Sequence, residues 1–210
     1  MLQLSEEYIS ATKPSTSYFD SNLEVRNKTN CAIRNNSLIT FLTYTGFKDA
    51  IAEKVFPSDG PTGLVPMQTY GEGNCLFRAV SRILCGDETM HVELRMRTFL
   101  ELCLNKNKYL NNLFLKELTG LDNYVDSLLD SSFDTSSLTR GKSKAERQME
   151  GFEKGIVDTI IPGTYSGMWH IFALSNVLGI PVQSVYPEVK GSLVNRQYLN
   201  VLVTPSQLRH

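Results

Sequence analysis

The chain has 210 residues, 41% of them hydrophobic and 20% charged, which is ordinary for a globular protein with one core-bearing domain. Its 21 basic and 22 acidic residues leave a net charge of -1, so no global field draws it to polyanions and nucleic-acid binding would need a local patch. No apolar run is long enough to span a bilayer, and the start MLQLSEEYIS has neither a basic nor an apolar leader region. The expected address is therefore intracellular, cytoplasmic or nuclear, with no membrane partner. Cys31, Cys75, Cys85 and Cys103 form no C-x-x-C pair and read as free thiols.

Residues 1–37 are polar, rich in Ser, Thr and Asn, and without sustained periodicity, which predicts a weakly structured N-terminal arm. From there LITFLTYTGF fits either a strand or a short buried helix, KDAIAEKVF suits a helix, and PSDGPTGLVP is a turn-rich connector. A helix is predicted to start at Cys75, because Leu76, Ala79, Val80, Ile83 and Leu84 recur at helical spacing and Gly86 stands where a C-terminal cap belongs. A second helix is expected over 89–104, started by Asp87 and Thr89. Its apolar face would be Val92, Met96, Phe99 and Cys103, with Glu93, Arg95, Arg97 and Glu101 mostly opposite. LDNYVDSLLD repeats the helical signature, and SSFDTSSLTRGKSK follows as a polar insertion. The last third reads as a helix over GMWHIFALSNVLG, ended by Gly179 and Pro181, and then two strands, VQSVYP and YLNVLV. Helices around a small sheet make the fold class α+β, or mixed α/β.

The stretch GEGNCLFR, residues 71–78, carries the main chemical signal. Gly71 and Gly73 place Cys75 after a pliable loop and in the first turn of a helix, where unpaired N–H groups favour a thiolate over a thiol. Glycines there also let backbone N–H groups converge on a developing oxyanion. A buried structural cysteine is the plain alternative, and a hydrolase needs an imidazole to decide between them. His91 opens a helix, where an imidazolium is disfavoured, and suits a surface or capping role. His170, between Trp169 and Ile171, fits a packing residue, and His210 is the final residue; the general base is left unassigned. RGKS at 140–143 lacks the glycine a phosphate loop needs at position 136, where Ser136 stands. Cys85 and His91 have no second ligand pair, Asp87 and Glu88 suit helix-start charges, and the mixed charges of ELRMRTFLELCLNKNKYL suit a solvated helix face.

YGEGNCLFRAVSRILCGDETMHVELR resembles the first signature block of the OTU (ovarian tumour) cysteine proteases, D-G-N-C-L-[FY]-R followed by H-x-x-L-R. GTYSGMWHIFALSNVLGIPVQSVYP is similar to that family's second block, a glycine loop, a helix and a strand. The resemblance covers about residues 65–204 and implies an OTU-like fold, a small central sheet flanked by helices, occupying 38–210 and cut short at its C-terminal end. It also implies a deubiquitinase in which Cys75 is the nucleophile and the backbone around Glu72, Gly73 and Asn74 forms the oxyanion loop. Tyr165 and Gly167 would lie near the cleft for the substrate tail, and His91 would match a family histidine that is not the base. The expected partner is ubiquitin or a ubiquitin-like protein, with no metal or organic cofactor. Two departures stand out: Glu72 occupies the family's aspartate position, and YLNVLVTPSQLRH offers only His210 where a base should follow a late strand. The second block is also similar to vertnin-like and mobile-element OTU-like proteins. That likeness implies the alternative of a catalytically degenerate OTU-fold module for binding or transcriptional regulation, and with it a possible nucleic-acid partner.

Overall fold

The structure, a computed structural model, describes residues 47–124, 142–187 and 196–206. The expected N-terminal arm, nearly all of LITFLTYTGF, all but the first four residues of the helix expected over LDNYVDSLLD, most of the polar insertion that follows it and His210 lie outside the described residues.

Helix α1, Ala50–Val55, starts at Asp49, whose side chain accepts from the N–H groups of Ile51 and Ala52. No further helix or strand interrupts the connector before α2, Cys75–Cys85, which ends at Gly86 in the left-handed region with φ +80°. Helix α3 spans His91–Leu104, followed by the short α4, Lys106–Tyr109, and by α5, Asn112–Thr119. Helix α6 runs Lys144–Ile160, α7 runs Met168–Leu178, and β1, Val182–Gln183, pairs antiparallel with β2, Leu202–Val203. Between the strands lies α8, Arg196–Leu199. The expected strand at YLNVLV is therefore corrected, because Tyr198 and Leu199 belong to a helical turn and only the end of the segment pairs. The described fold is mostly helical with one two-stranded sheet, a mixed α+β arrangement. No helix among the described residues is long and apolar enough to cross a membrane.

Helix α3 is the centre, packed by α2, α6 and α7. Contact on several sides turns its buried arc away from the one expected: Leu94, Arg95, Thr98, Phe99 and Leu102 face inward, whereas Val92 and Met96 are exposed. The same correction applies to α2, where Phe77, Ser81 and Leu84 are buried at i, i+4 and i+7 and Ile83 is exposed. Polar Ser81 holds its inward place because its hydroxyl donates to Asp87 O at 2.8 Å and accepts from Met90 N–H at 3.0 Å.

Helix α7 buries eight of its eleven residues, among them Phe172, Ala173 and Leu174, so it is a core helix rather than an amphipathic one. Around it Leu102, Tyr109, Leu115, Leu118, Tyr124, Phe152, Val201 and Val203 form one cluster. Each fully buried Phe or Leu there contributes roughly 2 kcal/mol through area removed from water. Polar groups inside the cluster are paired. The Tyr109 hydroxyl donates to Glu101 Oε1 and accepts from Asn176 Nδ2, both at 2.8 Å, and burial raises its pKa. Ser175 Oγ donates to Ile180 O at 2.8 Å and reaches Val203 O at 3.2 Å, which ties the end of α7 to β2.

Candidate functional site

Cys75 occupies the first position of α2 and is half-buried, neither sealed in the core nor fully open. Asn74 precedes it in the N-cap place, where an Asn side chain ordinarily accepts from first-turn N–H groups. Here it makes no such bond. Its Oδ1 instead accepts from Arg95 Nη1 at 2.8 Å and from Gly163 N–H at 3.4 Å, while its Nδ2 donates to Glu72 Oε1 at 3.0 Å. The first-turn amides of the helix that bears Cys75 thus receive no side-chain cap.

Gly73 has φ +75°, and a Cβ built on it would stand 1.9 Å from Gly163 O. Only glycine permits that approach. Gly163, at φ +82°, answers it from the loop between α6 and α7. The same loop carries Tyr165, which is 76% exposed, and Gly167, which is exposed and N-caps α7. The expected oxyanion loop and the expected cleft residues are therefore carried by two loops docked on each other through Gly73 and Gly163. Gly167 spends its own N–H on His170 Nδ1 at 2.9 Å, so that donor is not turned to a substrate.

Glu72, where the OTU pattern has aspartate, uses its extra methylene to meet two partners. Its Oε1 accepts from Asn74 Nδ2 and from Arg78 Nε at 2.8 Å, and the Asn74 bond followed by the Arg78 bond lowers the carboxyl pKa. Arg78 also donates to Glu88 Oε2 at 3.2 Å and lies 5.6 Å from the ring centroid of Tyr70, and Glu88 is paired in addition with Arg82 at 2.9 Å. Asp87 accepts from the N–H and hydroxyl of Thr89 in the turn ahead of α3; the helix itself begins at His91 behind Met90 with no side-chain cap, so the expected start at Asp87 and Thr89 is corrected.

Arg95 was expected on the solvated face and is instead buried behind the loop. Its Nε donates to Thr159 O at 2.7 Å, and its Nη2 faces the carbonyls of Ile161 at 2.7 Å, Asp158 at 3.0 Å and Thr164 at 3.1 Å. The carbonyls of Asp158, Thr159 and Ile161 end α6, where a cation is favoured by the helix dipole, and that of Thr164 lies in the loop that follows. The ring of Phe77, on α2, covers the guanidinium at 5.2 Å. Sequence reasoning missed this hub and its Gly163–Thr164 counterpart. The available signals were the Arg of H-x-x-L-R one position after buried Leu94, and the Pro162-Gly163 turn.

The two described histidines differ in how their ring nitrogens are used. His91 Nδ1 lies 2.7 Å from Glu88 O, a carbonyl that only accepts, so Nδ1 carries the proton and the ring caps a turn. His170 is buried; its Nδ1 accepts from Gly167, which leaves Nε2–H to donate to Thr159 Oγ1 at 2.8 Å, and that hydroxyl donates on to Gly155 O at 2.7 Å. Both ring nitrogens are used. Burial, with the charge of Arg95 adding to it, lowers the His170 pKa to about 4. Of the other thiols, Cys103 is pushed up to about 11 by burial and Cys85 is raised by the same cause. No group of three His, Cys, Asp or Glu suited to a metal ion occurs among the described residues.

Residues 66–210 match the family described as "Vertnin, OTU domain". The chain belongs to this family. Among relatives of the vertnin OTU domain, vertnin of Danio rerio is 32% identical over 157 residues, covering 75% of this chain and 22% of the relative. Vertnin of Homo sapiens is 29% identical over 162 residues, covering 77% and 22% respectively. For vertnin of Bos taurus the identity is 29% over 162 residues, with 77% and 24% covered. The chain thus spans between a fifth and a quarter of the length of these curated relatives.

Proposed function

We propose that this OTU domain is a thiol isopeptidase module that acts on the C-terminal tail of ubiquitin or a ubiquitin-like protein through Cys75. The observation that carries the reading is a half-buried thiol at the uncapped start of α2, next to a glycine loop braced from behind. The Cys75 thiolate adds to the carbonyl of the isopeptide bond, and backbone N–H groups of the loop at Glu72, Gly73 and Asn74 receive the oxyanion. Collapse of the adduct expels the lysine amine with a proton and leaves a thioester, which water hydrolyses to regenerate the thiol. Tyr165 and Gly167 border the path of the tail. The general base of this cycle is left unassigned.

A second reading has its own observation, because both ring nitrogens of buried His170 are committed to other partners and His91 is held through Nδ1 by Glu88 O. Without an imidazole the rate falls by several orders of magnitude, and the domain then serves as a binding or transcription-regulatory module that holds its partner without turnover. One experiment separates the two. Ubiquitin bearing a C-terminal electrophile is expected to form an adduct with the wild-type chain and none with Cys75→Ala. A wild-type chain that binds ubiquitin yet forms no adduct would establish the module instead.

A further inference from the structure

We infer that Arg95, acting through Asn74, is the positioning residue that sets the shape of the loop presenting Cys75. The inference rests on the reading of Cys75 as the reactive thiol, but its geometry stands apart from any substrate. Arg95 is buried, and the oxygens it donates to are neutral. A cation in that position needs most of its donors satisfied, so its acceptors fix its plane closely. All but one of those acceptors belong to the end of α6 and the loop after it. The exception is Asn74 Oδ1, the single link from the guanidinium to the loop before Cys75.

That link goes with a side chain used otherwise than as a cap. Left to itself, Asn in an N-cap place turns its oxygen to the amides of the second and third helical residues. At Asn111, ahead of α5, that happens: Oδ1 accepts from Leu113 at 2.8 Å and from Phe114 at 3.4 Å. Asn111 has the extended backbone of a capping residue, φ -98° and ψ 116°, whereas Asn74 stands at φ -92° and ψ 4°, and its oxygen is held by the buried guanidinium and Gly163 N–H instead of by α2. The bond from the guanidinium is charge-assisted, about twice as strong as a neutral one, and it holds Asn74 in this non-capping geometry. The side chain's other end then holds Glu72, which orders the residues on both sides of Gly73.

The test compares Asn74→Ala, Arg95→Lys and the double variant in the full chain, first by amide hydrogen exchange and then by reaction of Cys75 with iodoacetamide. Asn74→Ala leaves every α6 acceptor of Arg95 in place, so exchange at the end of α6 is expected to match wild type while exchange across residues 72–75 rises about 10-fold. Arg95→Lys is expected to raise exchange in both regions. In the double variant residues 72–75 are expected to exchange no faster than in the faster single variant, as for two groups in one interaction. The iodoacetamide rate at Cys75 is expected to change in both single variants and in the same direction. Unchanged exchange over 72–75 in Asn74→Ala would overturn the inference. A wild-type chain that forms no ubiquitin adduct would bear on the proposed activity alone, since neither readout here uses ubiquitin.

Discussion

His170 shows how a buried imidazole trades chemistry for stability. Its proton is fixed on Nε2 by the Gly167 and Thr159 contacts, and burial lowers its pKa to about 4 from the ordinary 6.5. Between those values the unfolded chain binds a proton that the folded chain refuses, so stability is complete above about pH 6.5 and falls as the pH drops toward 4. The nearby charge of Arg95 works with burial, and that of Asp158 works against it. At most the loss is about 3 kcal/mol across the window. Urea midpoints measured from pH 7 to pH 4 should therefore drop more steeply for wild type than for His170→Phe, whatever the variant's absolute stability. Parallel curves would contradict the account. A second residue-scale expectation concerns glycine. Gly120, at φ +76° with open space around it, should tolerate Ala at a cost of about 1 kcal/mol for left-handed backbone. Gly73→Ala meets the same strain and also Gly163 O, so about 3 kcal/mol or more is expected by urea titration, with the two loops pushed apart.

At the scale of elements, α6 holds a lesson in what a sequence displays. The segment after the polar insertion has a capping box: Ser143 Oγ accepts from Glu146 N–H at 3.3 Å, and Glu146 Oε2 accepts from Ser143 N–H at 2.7 Å. S-x-x-E stood in the sequence as SKAE, at the end of the stretch read as a polar insertion. Ser143→Ala is expected to cost about 1 kcal/mol in thermal or urea unfolding. The ends of α2 and α7 were legible because Gly86 and Gly179 are local signals that need no knowledge of neighbours. The inward faces of α2 and α3 were not. Hydrophobicity ranks Val92 and Met96 above Arg95, yet the side that faces three neighbouring helices takes Arg95 because carbonyls at the end of α6 and Phe77 lie there to receive it. A pattern of one helix holds no record of another helix's unpaired carbonyls. Cys75 and its glycines were found because that signal is contiguous, whereas the brace behind them is assembled from α3, α6 and the loop that follows.

For the whole molecule, the site joins distant parts of the chain. Asn74 and Gly163 are 89 positions apart, and Arg95 and Thr164 are 69 apart, yet these contacts fix the residues on either side of Gly73. Closing such loops has an entropic cost that the local helices do not bear. During synthesis from the N-terminus, Cys75 leaves the ribosome well before Gly163 exists. For that interval the thiol sits on a nascent segment without its final geometry, and whatever reactivity the mature protein has is acquired late, when the second glycine arrives to press against the first.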